Sequence, residues 1–198
     1  MRVLIVGCGY VGLPLGAELV RQGHEVFGLR RSAAEELKLA GITPLQADIT
    51  LSETLANLPR DFDWVVNCAA SGGGSADDYR QLYLQGTRNL IEWLASAPPK
   101  KFVYTSSTSV YGQNDGSLVK ESSPTEPQAE TAKVLVFGSE TGSFETFTSL
   151  AATVGCKSWL CVGQTIEMIP HALFVWTQHR FKIDLGDLKI CLDEMHAG

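Results

Sequence analysis

Long hydrophobic runs are missing from this 198-residue sequence, although 44% of its residues are hydrophobic. No uninterrupted apolar stretch reaches the roughly 20 residues that a membrane-spanning helix needs, so no membrane partner is expected. Positive charge is also scarce, because 16 Lys and Arg stand against 22 Asp and Glu and give a net charge of -6. This balance argues against nucleic acid as a partner.

Cysteine is sparse and its number, five, is odd. The spacing of the five residues fits no disulfide framework, and the Cys and His residues of the last third fit no tetrahedral zinc pattern. We therefore expect no metal site, and reduced thiols in a cytoplasmic protein. The sequence leaves the oligomeric state open.

What the sequence does contain is a regular alternation of short apolar runs and helical segments. Strands are predicted over 3–6, 25–29, 42–49, 64–69 and 102–105. Helices are predicted from the glycine turn to Gly23, over 32–40, weakly over 51–58, and from an N-cap at Ser75 to Pro98. This order favours the α/β class, with a Rossmann-like doubly wound parallel sheet.

A glycine-spaced turn follows the first strand directly. It has the form G-x-G-x-x-G and comprises Gly7, Gly9, Tyr10, Val11 and Gly12 with Cys8 between the first two glycines. Such a turn permits a tight bend, lets the backbone approach a pyrophosphate, and lets the following helix pack closely on the strand. The helix N-terminus then attracts the anion, so the turn predicts a dinucleotide site.

A second motif lies at the end of the fifth predicted strand, where residues 104–112 read YTSSTSVYG and are followed by Glu121 and Pro124. Together with the glycine turn, it resembles the extended short-chain dehydrogenase/reductases, the NAD(P)-dependent epimerase/dehydratase superfamily. The resemblance covers about residues 1–136. It implies an NAD(P)-binding Rossmann domain over this range, an oxidoreductase or nucleotide-sugar epimerase/dehydratase activity, and a small-molecule substrate that the sequence does not identify.

The same resemblance assigns roles to further residues. Ser107 takes the place of the active-site Ser/Thr, whose hydroxyl binds the reacting substrate oxygen. The alternative for Ser107 is a strand-end hydroxyl that caps a turn. Asp48 and Ile49 match the pair that contacts adenine. The small residues that pass under the cofactor correspond to Cys68, Ala69 and Ala70.

Cofactor preference is predicted from the end of the second strand, which reads Leu29-Arg30-Arg31. Relatives specific for NAD place an Asp at the position of Arg30, where it binds the ribose 2′-OH. A guanidinium instead binds a 2′-phosphate with charge-assisted hydrogen bonds. We therefore expect NADP to be preferred, with NAD as a possible cofactor. The alternative is that Arg30 and Arg31 are solvated surface charges.

The sequence departs from the family where catalysis is concerned. Thr131 and Leu135 occupy the positions of the Tyr-x-x-x-Lys pair, and neither residue can exchange a proton near pH 7. Lys133 is offset by two residues and is expected on another helix face. Tyr111 is a candidate substitute acid, although the family uses it for packing. Tyr83 stands where the family often has an Asn that supports the site.

Two further departures concern the length of the motifs and the end of the chain. The glycine turn is one residue shorter than in typical extended members and equally resembles the start of UDP-sugar 6-dehydrogenases, against which the Ser107 motif and the chain length count. Residues 137–198 match no family motif, apart from a candidate sixth strand over 158–163. A truncated or frame-shifted coding sequence is the expectation for this segment.

Two hypotheses about function follow from these observations. The first is an atypical NADP-binding short-chain dehydrogenase/reductase-like enzyme without the usual Tyr/Lys dyad. The second is a dinucleotide-binding module without catalysis, either a redox sensor or an inactive remnant. The glycine turn and Ser107 favour the first, and the residues at 131 and 135 favour the second.

Overall fold

The computed structural model describes residues 1–32, 35–105, 107–113, 124–136 and, for the backbone, 159–162. Six strands form one sheet in the order β3-β2-β1-β4-β5-β6, and every neighbouring pair is parallel. This confirms the doubly wound α/β prediction, because the sheet grows outward in both directions from its first strand. The strands are β1 (Arg2–Val6), β2 (Glu25–Arg30), β3 (Thr43–Gln46), β4 (Trp64–Asn67), β5 (Lys101–Thr105) and β6 (Trp159–Val162).

Helices flank the sheet and connect its strands. They are α1 (Gly12–Arg21), α2 (Glu35–Leu39), α3 (Ala76–Tyr79), α4 (Thr87–Leu94) and α5 (Glu130–Leu135). A π-helical segment, Arg80–Gly86, joins α3 to α4, and 3₁₀ turns occupy Ser52–Leu55 and Thr108–Val110. No helix of the described ranges is both long and apolar enough to cross a bilayer.

The central strand β1 is buried on both faces. Val3 and Ile5 belong to one hydrophobic cluster and Leu4 and Val6 to another, and all four side chains are fully inaccessible. The uninterrupted apolar run at the start of the sequence therefore reflects a strand with helices on both sides, as parallel sheets require.

Helix α1 packs against β1 and Ile42 at two positions where a side chain would not fit. A Cβ added at Gly12 would lie 2.7 Å from Cγ2 of Ile5, and one added at Gly16 would lie 2.5 Å from Cδ1 of Ile42. The third glycine of the turn thus serves helix–strand packing, the role that the motif predicts for it.

The weak helix expected over 51–58 is a 3₁₀ turn of four residues, and the third strand ends at Gln46, before the predicted position. Local hydrogen bonds occupy the segment between the strand and the turn. The Asp48 carboxylate accepts hydrogen bonds from the backbone N–H and the hydroxyl of Thr50, and the Thr54 hydroxyl donates to the Asp48 carbonyl. Such local side-chain bonds compete with regular secondary structure.

The helical start expected at Ser75 is confirmed in detail. The Ser75 hydroxyl accepts from the backbone N–H of Asp78, and the Asp78 carboxylate accepts from the Ser75 N–H, which together form a capping box. The candidate sixth strand is also present: β6 pairs in parallel with β5 and extends the sheet at that edge.

Candidate functional site

The two central strands of the sheet end beside each other at the point where the strand order reverses. From β1 the chain passes to β2 on one side, and from β4 it passes to β5 on the other. In open α/β sheets, ligands bind in the crevice outside the carboxyl ends of strands at this switch point. The segments that leave β1 and β4 here are the glycine turn and Cys68-Ala69-Ala70.

The first glycine of the turn, Gly7, is required by both conformation and space. Its φ is +72°, and a Cβ there would lie only 2.4 Å from Cα of Ala69. The backbone N–H groups of Gly7 and Cys8 both donate to the carbonyl of Leu29, at 3.0 and 3.2 Å. The turn is therefore held between the ends of β4 and β2, and Ala69 packs against it.

The second glycine, Gly9, differs from the first. Its φ lies outside the left-handed region, and a Cβ there would meet only the carbonyl oxygen of Gly7, at 3.9 Å. The described residues therefore leave the space beside Gly9 open. Neighbouring Tyr10 is 73% exposed, so its side chain does not fill the turn.

The N-terminus of α1 opens directly from this turn. The N–H of Leu13 donates to the carbonyl of Gly9 at 2.8 Å, whereas the N-cap residue Val11 supplies no side-chain hydrogen bond. The first turn of α1 contains no acidic residue. The first N–H groups of a helix have no intrahelical partner, and they carry a partial positive charge. A cradle without a Cβ and a helix end without a carboxylate fit a pyrophosphate.

The Asp48–Ile49 segment is anchored from a distant helix. The Asn89 side chain, 6% exposed, donates from Nδ2 to the carbonyl of Ile49 at 2.8 Å. Gly86 makes room for Ile49, since a Cβ at Gly86 would lie 2.9 Å from its Cγ1. The segment expected to contact adenine is thereby held next to the end of β3.

Asn67, the last residue of β4, is a supporting residue that the sequence interpretation missed. Its side chain is buried, and its Oδ1 accepts from the N–H of Ala69 at 3.1 Å. Its carbonyl accepts from the Thr105 hydroxyl at 3.2 Å, and its Nδ2 lies 3.5 Å from the hydroxyl of Thr87. A buried amide in an apolar strand was the available signal, because such groups need partners.

Tyr83, which stands where the family has Asn, is nearly fully buried and supports another part of the same edge. Its hydroxyl oxygen accepts from the backbone N–H of Ser71 at 3.0 Å. Burial raises the pKa of Tyr83 above its ordinary value. The tyrosine therefore supports the loop after β4 through its hydroxyl.

The end of β2 carries the two arginines. Arg30 forms an ion pair with Glu36 of α2 through Nη1, a contact that the sequence interpretation did not include. The backbone of the two arginines is held at the end of β3. Gln46 Nε2 donates to the carbonyl of Arg31 at 3.1 Å, and the N–H of Ala47 donates to the carbonyl of Arg30 at 3.0 Å. The side chain of Arg31 is exposed.

Two buried thiols lie at this edge of the sheet, Cys8 within the glycine turn and Cys68 just after β4. Burial raises the pKa of Cys8 to about 11, an effect that the charge of Arg30 opposes and that of Glu36 reinforces. Burial likewise raises the pKa of Cys68 to about 12, with a smaller contribution from Cys8. Burial therefore favours the protonated form of both thiols at neutral pH, which disfavours the thiolate that a nucleophilic cysteine needs.

Ser107 lies just beyond β5 and is half-buried. Its Oγ accepts from the N–H of Ser109 at 3.2 Å and its carbonyl accepts from the N–H of Val110 at 3.4 Å, which organises the short 3₁₀ turn. A serine hydroxyl that accepts one hydrogen bond still has a proton to donate. The geometry therefore permits both roles considered for Ser107, the turn cap and the substrate contact. Tyr111 packs against the hydrophobic core.

Helix α5 carries the residues that replace the catalytic dyad. Leu135 is 2% exposed and belongs to the core, and Thr131 is half-buried. Lys133 is exposed, and its Nζ pairs with Glu130 at 2.8 Å. Lys133 therefore does not bring its charge to the buried position 135. Among the described residues, no group of three or more His, Cys, Asp and Glu is arranged to hold a metal ion.

Comparison with known proteins gives the family. The sequence model of the NAD dependent epimerase/dehydratase family matches residues 3–134. The chain belongs to this family. The match begins within β1 and ends within α5, so it contains both the glycine turn and the Ser107 motif.

Similar proteins agree with this assignment. Over 141 residues the chain is 29% identical to Protein YeeZ of Escherichia coli (strain K12), covering 68% of this chain and 50% of that protein. Over 147 residues it is 33% identical to a dTDP-6-deoxy-L-talose 4-dehydrogenase (NAD(P)(+)) of Kitasatospora kifunensis, covering 70% and 46%. The chain thus spans about half the length of these relatives.

A solved structure extends the comparison. The UDP-glucose 4-epimerase of Thermus thermophilus, determined in complex with NAD, superimposes with a TM-score of 0.66 at 25% identity. The superposition covers 81% of this chain and 54% of that one. The Rossmann-like fold and the NAD-dependent character of the family are therefore established, whereas the choice between NAD and NADP in this chain is a separate question.

Proposed function

We propose that this chain binds a dinucleotide at the carboxyl edge of its sheet, with the pyrophosphate over Gly9 and the N-terminus of α1. The observation that carries the proposal is the contrast between Gly7, which is packed against Ala69, and Gly9, which faces open space. The remaining contacts follow from the same placement. Asp48 and Ile49 would contact the adenine, and Cys68, Ala69 and Ala70 would lie beneath the cofactor.

The experiment that tests this proposal is a calorimetric titration of the full chain and of Gly9→Val with NADPH. A valine side chain would occupy the space required by the pyrophosphate, so we expect binding to be lost while the far-ultraviolet circular dichroism is unchanged. Equal affinity in the two proteins would overturn the proposal.

NADP is the preferred cofactor in this proposal because of Arg30. Its guanidinium lies at the end of β2, and a 2′-phosphate offers it charge-assisted hydrogen bonds that a ribose hydroxyl does not. Arg31 adds a second positive charge at the same strand end. Arg30→Ala should reduce NADP affinity and leave NAD affinity nearly unchanged, whereas tighter binding of NAD by the wild-type chain would contradict the preference.

The reaction we propose is a weak oxidoreductase or epimerase/dehydratase reaction on a small-molecule substrate. A bound nicotinamide would supply hydride chemistry. Ser107 would donate a hydrogen bond to the substrate oxygen and orient it, as oxyanion-type donors do. Without a titrating partner, the chain lacks the roughly 10²–10⁴-fold contribution of general acid–base catalysis.

A second candidate function is dinucleotide binding without catalysis. It is favoured by Leu135, whose side chain is part of the hydrophobic core and offers no charge to any group. Assays with a panel of carbonyl compounds and nucleotide sugars distinguish the two candidates. Turnover that Ser107→Ala abolishes supports the enzyme, and nucleotide binding without any turnover supports the module.

A further inference from the structure

The ion pair between Arg30 and Glu36 joins the end of β2 to helix α2 at the predicted cofactor edge. The Arg30 side chain is 27% exposed and the Glu36 side chain 57% exposed, so both heads reach the surface. The backbone of Arg30 pairs with Gln46 of β3, and its carbonyl accepts from the N–H of Ala47, the residue that follows β3. The guanidinium is thus positioned on a rigid strand end with a carboxylate as its neighbour.

This pair lies close to the glycine turn. The charges of both residues act on the thiol of Cys8, the second residue of the turn. The Sγ of Cys8 would lie 3.0 Å from a Cβ added at Gly28 of β2. Gly28 is two residues before Arg30 on the same strand. The adenosine ribose of a dinucleotide lies between the glycine turn and the end of the second strand. A 2′-phosphate bound to Arg30 would therefore also meet the carboxylate of Glu36.

We propose that Glu36 is a specificity-determining residue, whose carboxylate competes with the 2′-phosphate of NADP for the Arg30 guanidinium. The inference rests on the proposed dinucleotide function and names a residue that moderates its NADP preference. NAD leaves the ion pair intact. NADP must displace or share the carboxylate, and its phosphate is repelled by Glu36 while it is attracted by Arg30.

The neighbouring residue Glu35 provides a matched control. It lies on the same helix, carries the same charge, and pairs with Lys38 at 3.1 Å rather than with Arg30. Glu35→Gln and Glu36→Gln change the net charge equally. Any effect of overall charge on anion binding therefore appears in both variants, whereas competition for Arg30 appears in one.

The test is calorimetry of the full chain with NADP and NAD for the wild type, Glu36→Gln and Glu35→Gln. We expect Glu36→Gln to raise NADP affinity by about threefold to tenfold, the size of an exposed ion pair together with the removed repulsion. NAD affinity should change by less than about twofold, and Glu35→Gln should behave like the wild type. Adenosine 2′,5′-bisphosphate and 5′-AMP, used as smaller probes, should reproduce the contrast.

A double-mutant cycle with Arg30→Ala establishes whether Glu36 acts through the arginine. In the Arg30→Ala background, Glu36→Gln should give less than half of its effect on NADP affinity. An unchanged NADP/NAD ratio in Glu36→Gln, an equal change in Glu35→Gln, or a full effect without Arg30 overturns the inference. Failure of the wild-type chain to bind either nucleotide overturns the proposed function itself. This outcome differs from failure of the inference alone, because no ratio of NADP to NAD affinity can then be measured.

Discussion

The glycine turn after β1 and the segment from Ser107 to α5 differ in what they preserve of the family pattern. In the turn, each glycine has a structural reason: Gly7 packs on Ala69, Gly9 leaves open space, and Gly12 admits the side chain of Ile5. In the second region the motif continues into a helix whose inward-facing residue, Leu135, is part of the core.

In the family pattern, cofactor binding and acid–base chemistry depend on different parts of the chain. A pyrophosphate cradle is formed by backbone N–H groups and by the absence of Cβ atoms, so it is tied to the fold. Acid–base chemistry depends on particular side chains, and an apolar residue replaces them without loss of packing. A chain can therefore keep the features required for the first while it lacks the side chains required for the second.

The largest effect is expected for Gly7→Ala, which introduces a steric clash into the glycine turn. The new Cβ would lie 2.4 Å from a backbone atom of Ala69, at a positive φ that alanine adopts at a cost. We expect the free energy of unfolding to fall by about 4 kcal/mol, from the combined strain and overpacking. Urea denaturation measures this change. Gly9→Ala is the matched control, and a loss above about 1 kcal/mol there would contradict the contrast between the two glycines.

Leu135→Lys tests the second region by restoring the family's lysine. The ammonium would enter a site that is 2% exposed, so we expect a loss of about 3 kcal/mol in the free energy of unfolding. The reciprocal change Lys133→Leu, two residues earlier on the exposed face, should alter it by less than about 0.5 kcal/mol. Similar urea midpoints for the two variants would show that position 135 tolerates a charge and that the dyad is easily rebuilt.

Ser107→Ala separates the two roles of this hydroxyl. Loss of the hydrogen bond from Ser109 N–H should reduce the free energy of unfolding by about 1 kcal/mol, whereas Ser109→Ala retains the donor and should have little effect. If Ser107 also orients a substrate, its alanine variant loses any turnover while nucleotide affinity is unchanged. Turnover that instead depends sharply on Thr131 would contradict the assignment.

A smaller effect is expected from the buried thiol of Cys8 within the glycine turn. Because the folded-state pKa of Cys8 is raised from 9.0 to about 11, the unfolded chain loses its proton first, and stability falls as the pH rises through 9. At pH 9.5 this thiol should lower the free energy of unfolding by about 0.8 kcal/mol relative to neutral pH. Denaturation of the wild type and Cys8→Ala at pH 7 and pH 9.5 should show a steeper fall for the wild type. Equal falls would place the thiol in a more polar environment.

The sequence predicts the two regions unequally for physical reasons. The helix start at Ser75 and the alternation of strands and helices follow from local sequence patterns, and both are confirmed. The 3₁₀ turn at Ser52–Leu55 was missed because the hydrogen bonds of Asp48 and Thr54 outweigh helical propensity.

Contacts between distant elements were the other part that sequence reasoning missed. The Arg30–Glu36 pair joins a strand to a helix, and the Asn89 side chain reaches Ile49, 40 residues away in the sequence. Neither pairing follows from periodicity or spacing. Tyr83 is similar: its replacement of the family's Asn was evident, but its hydrogen bond to the loop after β4 emerged only from the fold.

The most direct test of the account is amide chemical-shift mapping of the ¹⁵N-labelled full chain during titration with NADPH. If the pyrophosphate binds over the turn, the largest saturable shifts belong to the amides of Gly9, Tyr10, Val11 and Gly12, followed by those of Ala69 and Ala70. The account is contradicted if saturating NADPH leaves these amides unshifted, or if the largest shifts lie at the amino ends of the strands.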